Sequence, residues 1–240
     1  MNTNPKHINI NLEKSLNFLL MRDFRDRTIT ISFKGRQSIK HILESLGVPH
    51  TEIGQITIGG HRTGMDEIAT DGSLIEVTSG VRLPPSEPRF VLDGHLGRLA
   101  AHLRMLGFDC TYHAENTDLR LAEIAHGEER ILLTRDRRLL MRKSIDYGYC
   151  PRSMKPQEQL MEVVARYSLV EWMHPFKRCI RCNQILVNVD KEIILDRLQP
   201  LTQKYFNEFK ICPDCQQIYW KGSHFDKMHQ TIQFIVKNRI

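Results

Sequence analysis

Residues 89–109, RFVLDGHLGRLAAHLRMLGFD, join a short apolar strand to an amphipathic helix through a single aspartate, and this junction decides the fold. Phe90, Val91 and Leu92 form an unbroken apolar run, the pattern of a strand buried on both faces. Leu96, Leu99, Ala100, Leu103 and Leu106 then recur at helical spacing and make one core-facing stripe, from which Arg98, His102 and Arg104 fall away. Gly107 stops the helix, and residues 108–112 supply a second strand. In a parallel α/β sheet, ligands bind beyond the carboxyl ends of the strands, so Asp93 is the first place to look for chemistry.

The same alternation continues downstream. A helix begins at Asn116-Thr117-Asp118, with Leu121, Ile124 and Ala125 on its inner side. Residues 131–133 form a third buried strand, and Thr134-Arg135-Asp136 lies just past its end. A further helix carries Arg137 and Arg138, residues 147–150 suggest a fourth strand, and residues 159–164 a last helix. Strands and helices alternating every 20 residues or so (about 20–25) predict a three-layer α/β domain with a mainly parallel sheet. Right-handed crossovers put the strand ends on one edge, where Asp93, Asp118 and Asp136 are expected to converge. Converging carboxylates repel unless a cation lies between them, and oxygen-only ligation suits Mg²⁺ or Mn²⁺. One or two such ions can activate a water and stabilise the leaving oxygen in phosphodiester hydrolysis. Taken singly, each acid is more often a helix cap than a ligand.

Upstream, residues 28–33 (TITISF) alternate as a strand, and residues 38–46 (SIKHILESL) follow as a helix behind a serine cap. Two more strands, 56–58 and 74–77, are set off by Gly59-Gly60 and Asp71-Gly72. This order, with LGVPHTEIGQITIGG and DGSLIEV, resembles a ubiquitin-like β-grasp domain of the sulfur-carrier type. Carriers act through a free C-terminal Gly-Gly, whereas here Thr78-Ser79-Gly80-Val81 runs on into more chain, so a docking or stabilising module outweighs carrier chemistry. Three prolines in residues 84–88 (PPSEP) make a linker. The expected divisions are 1–83, the linker 84–88, an α/β domain over 89–170, and a C-terminal module over 171–240.

Charge and cysteine usage narrow the function. Residues 1–80 hold nine Lys and Arg against nine Asp and Glu, so the net charge of +6 falls entirely on 81–240. A basic excess there favours a polyanionic partner. Of the six cysteines, four form Cys179-Ile-Arg-Cys182 and Cys212-Pro-Asp-Cys215, with 29 residues between the pairs. Two such knuckles supply four thiolates for a closed tetrahedral Zn²⁺. Cys110 and Cys150 read as core thiols. Lys221 and His224 lie beside Tyr219 and Trp220, and basic side chains interleaved with aromatics suit single-stranded nucleic acid. No apolar run approaches the roughly 18 residues of a membrane span, and MNTNPKHINI has no signal-peptide pattern, so a cytoplasmic protein is expected.

VLDGHLGRLAAHLRMLGFD, LLTRDRRLL, RCIRCN and CPDCQQIYWKGSHFDKM together resemble the Mut7-C RNase family, a PIN-like nuclease domain followed by a zinc ribbon. The ubiquitin-like domain often accompanies it. The resemblance covers essentially the whole chain. It implies a metal-dependent ribonuclease with its acidic site on Asp93, Asp118 and Asp136, a Zn²⁺ on Cys179, Cys182, Cys212 and Cys215, and Mg²⁺ or Mn²⁺ at the acids. Arg98, Arg104, Arg135, Arg137, Arg138, Lys221 and His224 would then guide single-stranded or structured RNA, and the ubiquitin-like domain could receive a protein partner. Relatives often carry an acid shortly before the pair that here is Gln159-Leu160. This chain has Met154-Lys155 there, with Glu158 the nearest acid, which keeps an RNA-binding module without turnover as the alternative.

Overall fold

The computed structural model describes residues 5–238. Its N-terminal part contains β1 (Lys6–Leu12), β2 (Ile29–Phe33), α1 (Ile39–Ser45), β3 (Ile53–Ile58), β4 (His61–Thr63) and β5 (Leu74–Ser79). The strands form one sheet in the order β2-β1-β5-β3-β4, with β1 parallel to β5 and the other neighbours antiparallel. This is the ubiquitin-like arrangement. β1 was not evident from the sequence because only Ile8 and Ile10 point fully inward and polar residues separate them. Ser38 caps α1 by accepting the His41 N–H, and Ile39, Ile42 and Leu43 are buried.

The end of β5, which would be the free tail of a carrier, is pinned. Ser79 donates its N–H and hydroxyl to the Glu13 carboxylate, and the Gly80 N–H donates to the Glu52 carbonyl. The chain then continues through β6 (Phe90–Leu92), α2 (Gly97–Met105), β7 (Cys110–Tyr112), α3 (Asp118–Gly127), β8 (Ile131–Leu133), α4 (Arg137–Leu140), β9 (Gly148–Tyr149) and α5 (Pro156–Tyr167). β6 pairs in parallel with β7, and β8 in parallel with β9. β6 and β8 are buried at every residue, which is why both are written as apolar runs. α5 is longer than expected. Pro156 opens it where no N–H is needed, and Ser168 closes it with a left-handed backbone.

The C-terminal segment holds β10 (Val187–Val189), α6 (Pro200–Tyr205), β11 (Phe209–Ile211), β12 (Ile218–Tyr219) and α7 (Ser223–Asn238). The three strands form a small antiparallel sheet in the order β10-β11-β12. Ile194, Leu198, Phe209 and Ile218 make its modest core.

These elements gather into two compact units: Met1–Pro84 with Thr117–Arg152, and Pro85–Asn116 with Ser153–Ile240. One break falls inside the proline-rich stretch. The others divide the central α/β region itself.

In the first unit, the ubiquitin-like sheet is welded to residues 117–152 by buried polar contacts. Glu52 is fully buried and accepts from the Cys150 N–H (3.0 Å) and from both terminal nitrogens of Arg152. The Arg152 guanidinium also lies over the rings of Phe18 and Tyr149, at 5.4 and 5.0 Å. His50 reaches the Ile145 carbonyl through Nε2 (2.9 Å) and meets Glu44 through Nδ1. Arg137, expected to attract RNA, donates to the Leu19 carbonyl instead.

In the second unit, the cysteine-bearing segment is tied to the α2–β7 corner. Here Arg104 corrects the expectation of a cationic approach to the acids. It is 4% exposed and donates Nε and Nη2 to the Cys110 carbonyl and Nη1 to the carbonyls of Ile180 and Arg181. Turning away from an apolar stripe does not bring a side chain to water when another segment packs over that face. Asn183 adds two bonds, accepting the Cys110 N–H and donating to Asp109. Gly107, at φ +101°, brings its backbone so close to the His174 carbonyl that a Cβ would have no room.

Candidate functional site

Asp93 directly follows β6 and is half-buried, with extended backbone angles. The chain turns sharply after it. The Leu96 N–H donates to the Asp93 carbonyl, and the Tyr112 hydroxyl donates to the Gly94 carbonyl at 2.9 Å. Gly94 is required here because a Cβ would lie 2.5 Å from the Ala114 carbonyl oxygen. The turn that presents Asp93 is therefore held from β7, by Tyr112 and Ala114.

Asp118 is the first residue of α3 and is exposed. Its neighbour Thr117 caps the helix by accepting the Arg120 N–H. Asp118 thus complements the helix dipole from the first turn, with its carboxylate in solvent. Asp136 is also exposed and is the N-cap of α4. Its Oδ1 accepts the Arg138 N–H at 2.8 Å, and its own N–H donates to the buried Thr134 hydroxyl. A capping carboxylate still has a second oxygen for a cation. Asp93 belongs to the second unit, Asp118 and Asp136 to the first.

The basic residues divide into exposed and committed groups. Arg98 on α2 and Arg138 on α4 are exposed, as is His224 at the start of α7. Arg135 is half-buried, and Lys221 pairs with Glu208 at 2.7 Å. Arg104 and Arg137 are the two that the packing uses.

A cleft of about 600 Å³ in the second unit is lined by His95, Arg98, Tyr112, Met154 and Gln159, among others. It opens beside the turn that follows Asp93. His95 and Gln159 lie in stretches quoted above and Tyr112 in the second strand, yet nothing in the sequence marks any of the three as lining a cleft. Beyond the cleft rim, Glu158 pairs with Lys155 and accepts from the Ser153 hydroxyl, which holds its carboxyl below the usual range. Glu162 accepts the Ser153 N–H at 2.8 Å. Glu158, the nearest acid to the position of a fourth carboxylate, therefore holds the loop before α5, as Glu162 does. His102, also on α2, has a buried Nδ1 without a hydrogen-bond partner, and burial, aided by Arg98, lowers its pKa.

The four cysteines come together. Sγ of Cys179 is 3.5 Å from that of Cys215, Cys182 is 3.3 Å from Cys212, and all four sulfurs lie within 4.8 Å of one another. Both knuckles are built alike. The first cysteine of each donates its N–H five residues on, to Gln184 or Gln217, and its carbonyl accepts from the left-handed Asn183 or Gln216. A tetrahedral zinc with Zn–S bonds of about 2.3 Å needs sulfurs roughly 3.8 Å apart, which this set meets with little adjustment. Burial pushes the Cys179 thiol up, but hydrogen bonds from Tyr219, from the Cys182 and Arg181 backbone and from Cys215 outweigh it and bring it to about 7, whereas burial and the neighbouring sulfurs push Cys182 up to about 12 and Cys215 upward, so one thiol of the cluster ionises first. Thiolates at such a site suit a soft or borderline metal. Among the described residues, no other set of three or more His, Cys, Asp or Glu side chains gathers this closely.

Comparison with family models matches residues 88–232 to the Mut7-C RNAse domain and residues 5–82 to the Mut7-C ubiquitin domain. No curated protein and no solved structure matches the chain. The first match spans more than half of the sequence and takes in Asp93, Asp118, Asp136 and all four clustered cysteines, so the chain belongs to the Mut7-C RNase domain family, with the ubiquitin-like domain of that family at its N-terminus.

Proposed function

We propose that this protein is a metal-dependent ribonuclease that hydrolyses RNA phosphodiester bonds at Asp93, Asp118 and Asp136. The observation that carries this reading is the match of the RNase domain to the segment in which Asp93 and Asp136 each follow the carboxyl end of a parallel strand. Carboxylate oxygens, here two of them on exposed residues, are the ligands that Mg²⁺ or Mn²⁺ takes. When bound, such an ion supplies Lewis acidity for the attacking water and for the charge on the leaving oxygen. The chain itself orients the acids: Tyr112 and Ala114 fix the turn at Asp93, and Thr134 fixes Asp136. Arg98 and Arg138 attract the phosphates, with Arg135 behind them. Zn²⁺ at Cys179, Cys182, Cys212 and Cys215 is structural, because four thiolates leave no open position.

The ubiquitin-like domain stabilises the first unit and offers its remaining surface to a protein partner. No helix among the described residues is long and apolar enough to cross a membrane, in keeping with action on RNA in the cytoplasm. The second reading, an RNA-binding module without turnover, is favoured by Met154, which stands 74% exposed at the cleft where relatives often carry an acid. Purified protein with labelled single-stranded and structured RNAs, with Mg²⁺ or Mn²⁺, separates the two. The ribonuclease cleaves, and Asp93→Asn and Asp136→Asn abolish cleavage. RNA bound but left intact under every condition selects the binding module.

A further inference from the structure

The second unit contains another cleft, of about 580 Å³, between the small antiparallel sheet and the start of α7. We infer that this cleft receives an unstacked base of single-stranded RNA, held next to the zinc ribbon. The inference rests on the ribonuclease reading for its substrate class.

Four observations support it. The walls are aromatic. Phe176 and Phe225 lie 4.5 Å apart, centroid to centroid, and Trp220 remains 39% exposed beside them. Phe176 adopts φ +60°, a left-handed backbone that a bulky side chain rarely takes, and such strain persists where the surrounding structure fixes a side chain for use. Two amides, Asn188 and Asn207, line the same space; Asn207 gives its Oδ1 to Lys191 and keeps its amide donors for a base edge. Exposed lysines line the mouth: Lys210, which leans on the Phe176 carbonyl, and Lys221, paired with Glu208, while Arg178 is held beneath them by Asp109 and the Gly107 and Asn183 carbonyls.

Size and polarity select a base over an apolar peptide. The volume is that of a small-ligand site. A hydrophobic side chain would need neither the amides nor the cations, whereas a nucleotide uses its ring, its edge and its phosphate at once. Aromatic stacking of this kind tolerates any base, because every base has a π-face.

The test measures binding in full-length protein carrying Asp136→Asn, with fluorescein-labelled oligoadenylate and an abasic strand of equal length. Trp220→Ala is expected to weaken oligoadenylate binding about 5- to 100-fold and to leave the abasic strand unchanged, and Trp220→Phe to recover most of the loss. In protein carrying Trp172→Phe, the Trp220 emission should be quenched by oligoadenylate and not by the abasic strand, a readout that needs no change in the cleft. Unchanged affinity in Trp220→Ala protein that retains its zinc, or absence of the quench, overturns the proposal and leaves the cleft to a protein segment. Failure of the ribonuclease reading is distinct: RNA would stay uncut by the parent chain while the quench and the affinity loss stood.

Discussion

Two arginines, Arg104 buried and Arg152 partly so, join the flanking modules to the central α/β region, and they do so with different chemistry. Arg152 faces a carboxylate, the fully buried Glu52, and both ions depend on each other for solvation. Arg104 faces backbone carbonyls of Cys110, Ile180 and Arg181, which stay neutral whatever happens to the arginine. The first junction therefore leans on one ion pair, with His50 and Arg137 adding bonds to the Ile145 and Leu19 carbonyls, and removing one ion leaves the other without its counter-charge. The second is distributed, since Asn183, Arg178 and the His174 N–H hold the same corner. A buried arginine does not have one meaning; what it donates to decides how much depends on it.

Four experiments break or sharpen this contrast. The largest effect is expected from metal removal. With a core of a few residues, the cysteine segment needs its ion, whose binding in zinc-finger peptides is worth about 10–16 kcal/mol. Metal analysis should find about one zinc per chain. Chelation, or Cys212→Ser, should then release the Ile180 and Arg181 carbonyls, so that hydrogen exchange rises over residues 177–220 while the Glu52 junction stays protected.

Next comes Glu52→Ala, which should cost about 3–5 kcal/mol in urea unfolding because the partly buried Arg152 loses its counter-ion. The paired change Glu52→Leu with Arg152→Met should recover most of that loss, and failure to recover would deny that the ion pair is what the junction leans on. Arg104→Met should cost less, about 1–3 kcal/mol, since it leaves neutral carbonyls short of a donor rather than an ion short of its partner.

The smallest effect concerns pH. The folded His102 pKa lies below its ordinary value of 6.5, so the unfolded chain binds the extra proton first. The stability it contributes is present above the unfolded pKa and is lost as pH falls below about 6.5. His102→Gln should flatten that slope in unfolding curves between neutral and mildly acidic pH.

The parts of the site differed in how far the sequence exposed them. The cysteines were legible because each Cys-x-x-Cys is a local turn that aims both sulfurs the same way, and only one long-range pairing remained to be made. Asp93 was legible as a strand-end acid, and the apolar periodicity of α2 fixed its setting. Asp118 and Asp136 were legible as helix-start acids, yet the capping is split: Thr117 caps α3, and Asp136 itself caps α4. His95 and Gln159 lie in stretches the sequence singled out, but their meeting with Tyr112 on one cleft was not legible, because it follows from the pairing of β6 with β7 and the placing of α5.

The sequence by itself determined the α/β alternation, the pairing of the four cysteines into one cluster and the placing of Asp93, Asp118 and Asp136 at a strand end and two helix starts, since these depend on period and spacing along the chain. Tertiary structure alone decided which charges serve and which are consumed. Arg104 and Arg98 both fall away from the same apolar stripe, but the cysteine segment folds over Arg104 and leaves Arg98 in water. Glu52 reads as an ordinary acid in a short loop, and becomes the counter-ion of Arg152 only when residues 117–152 close over it. Burial is a property of the packed chain rather than of any residue, and the use of a charge is set by burial.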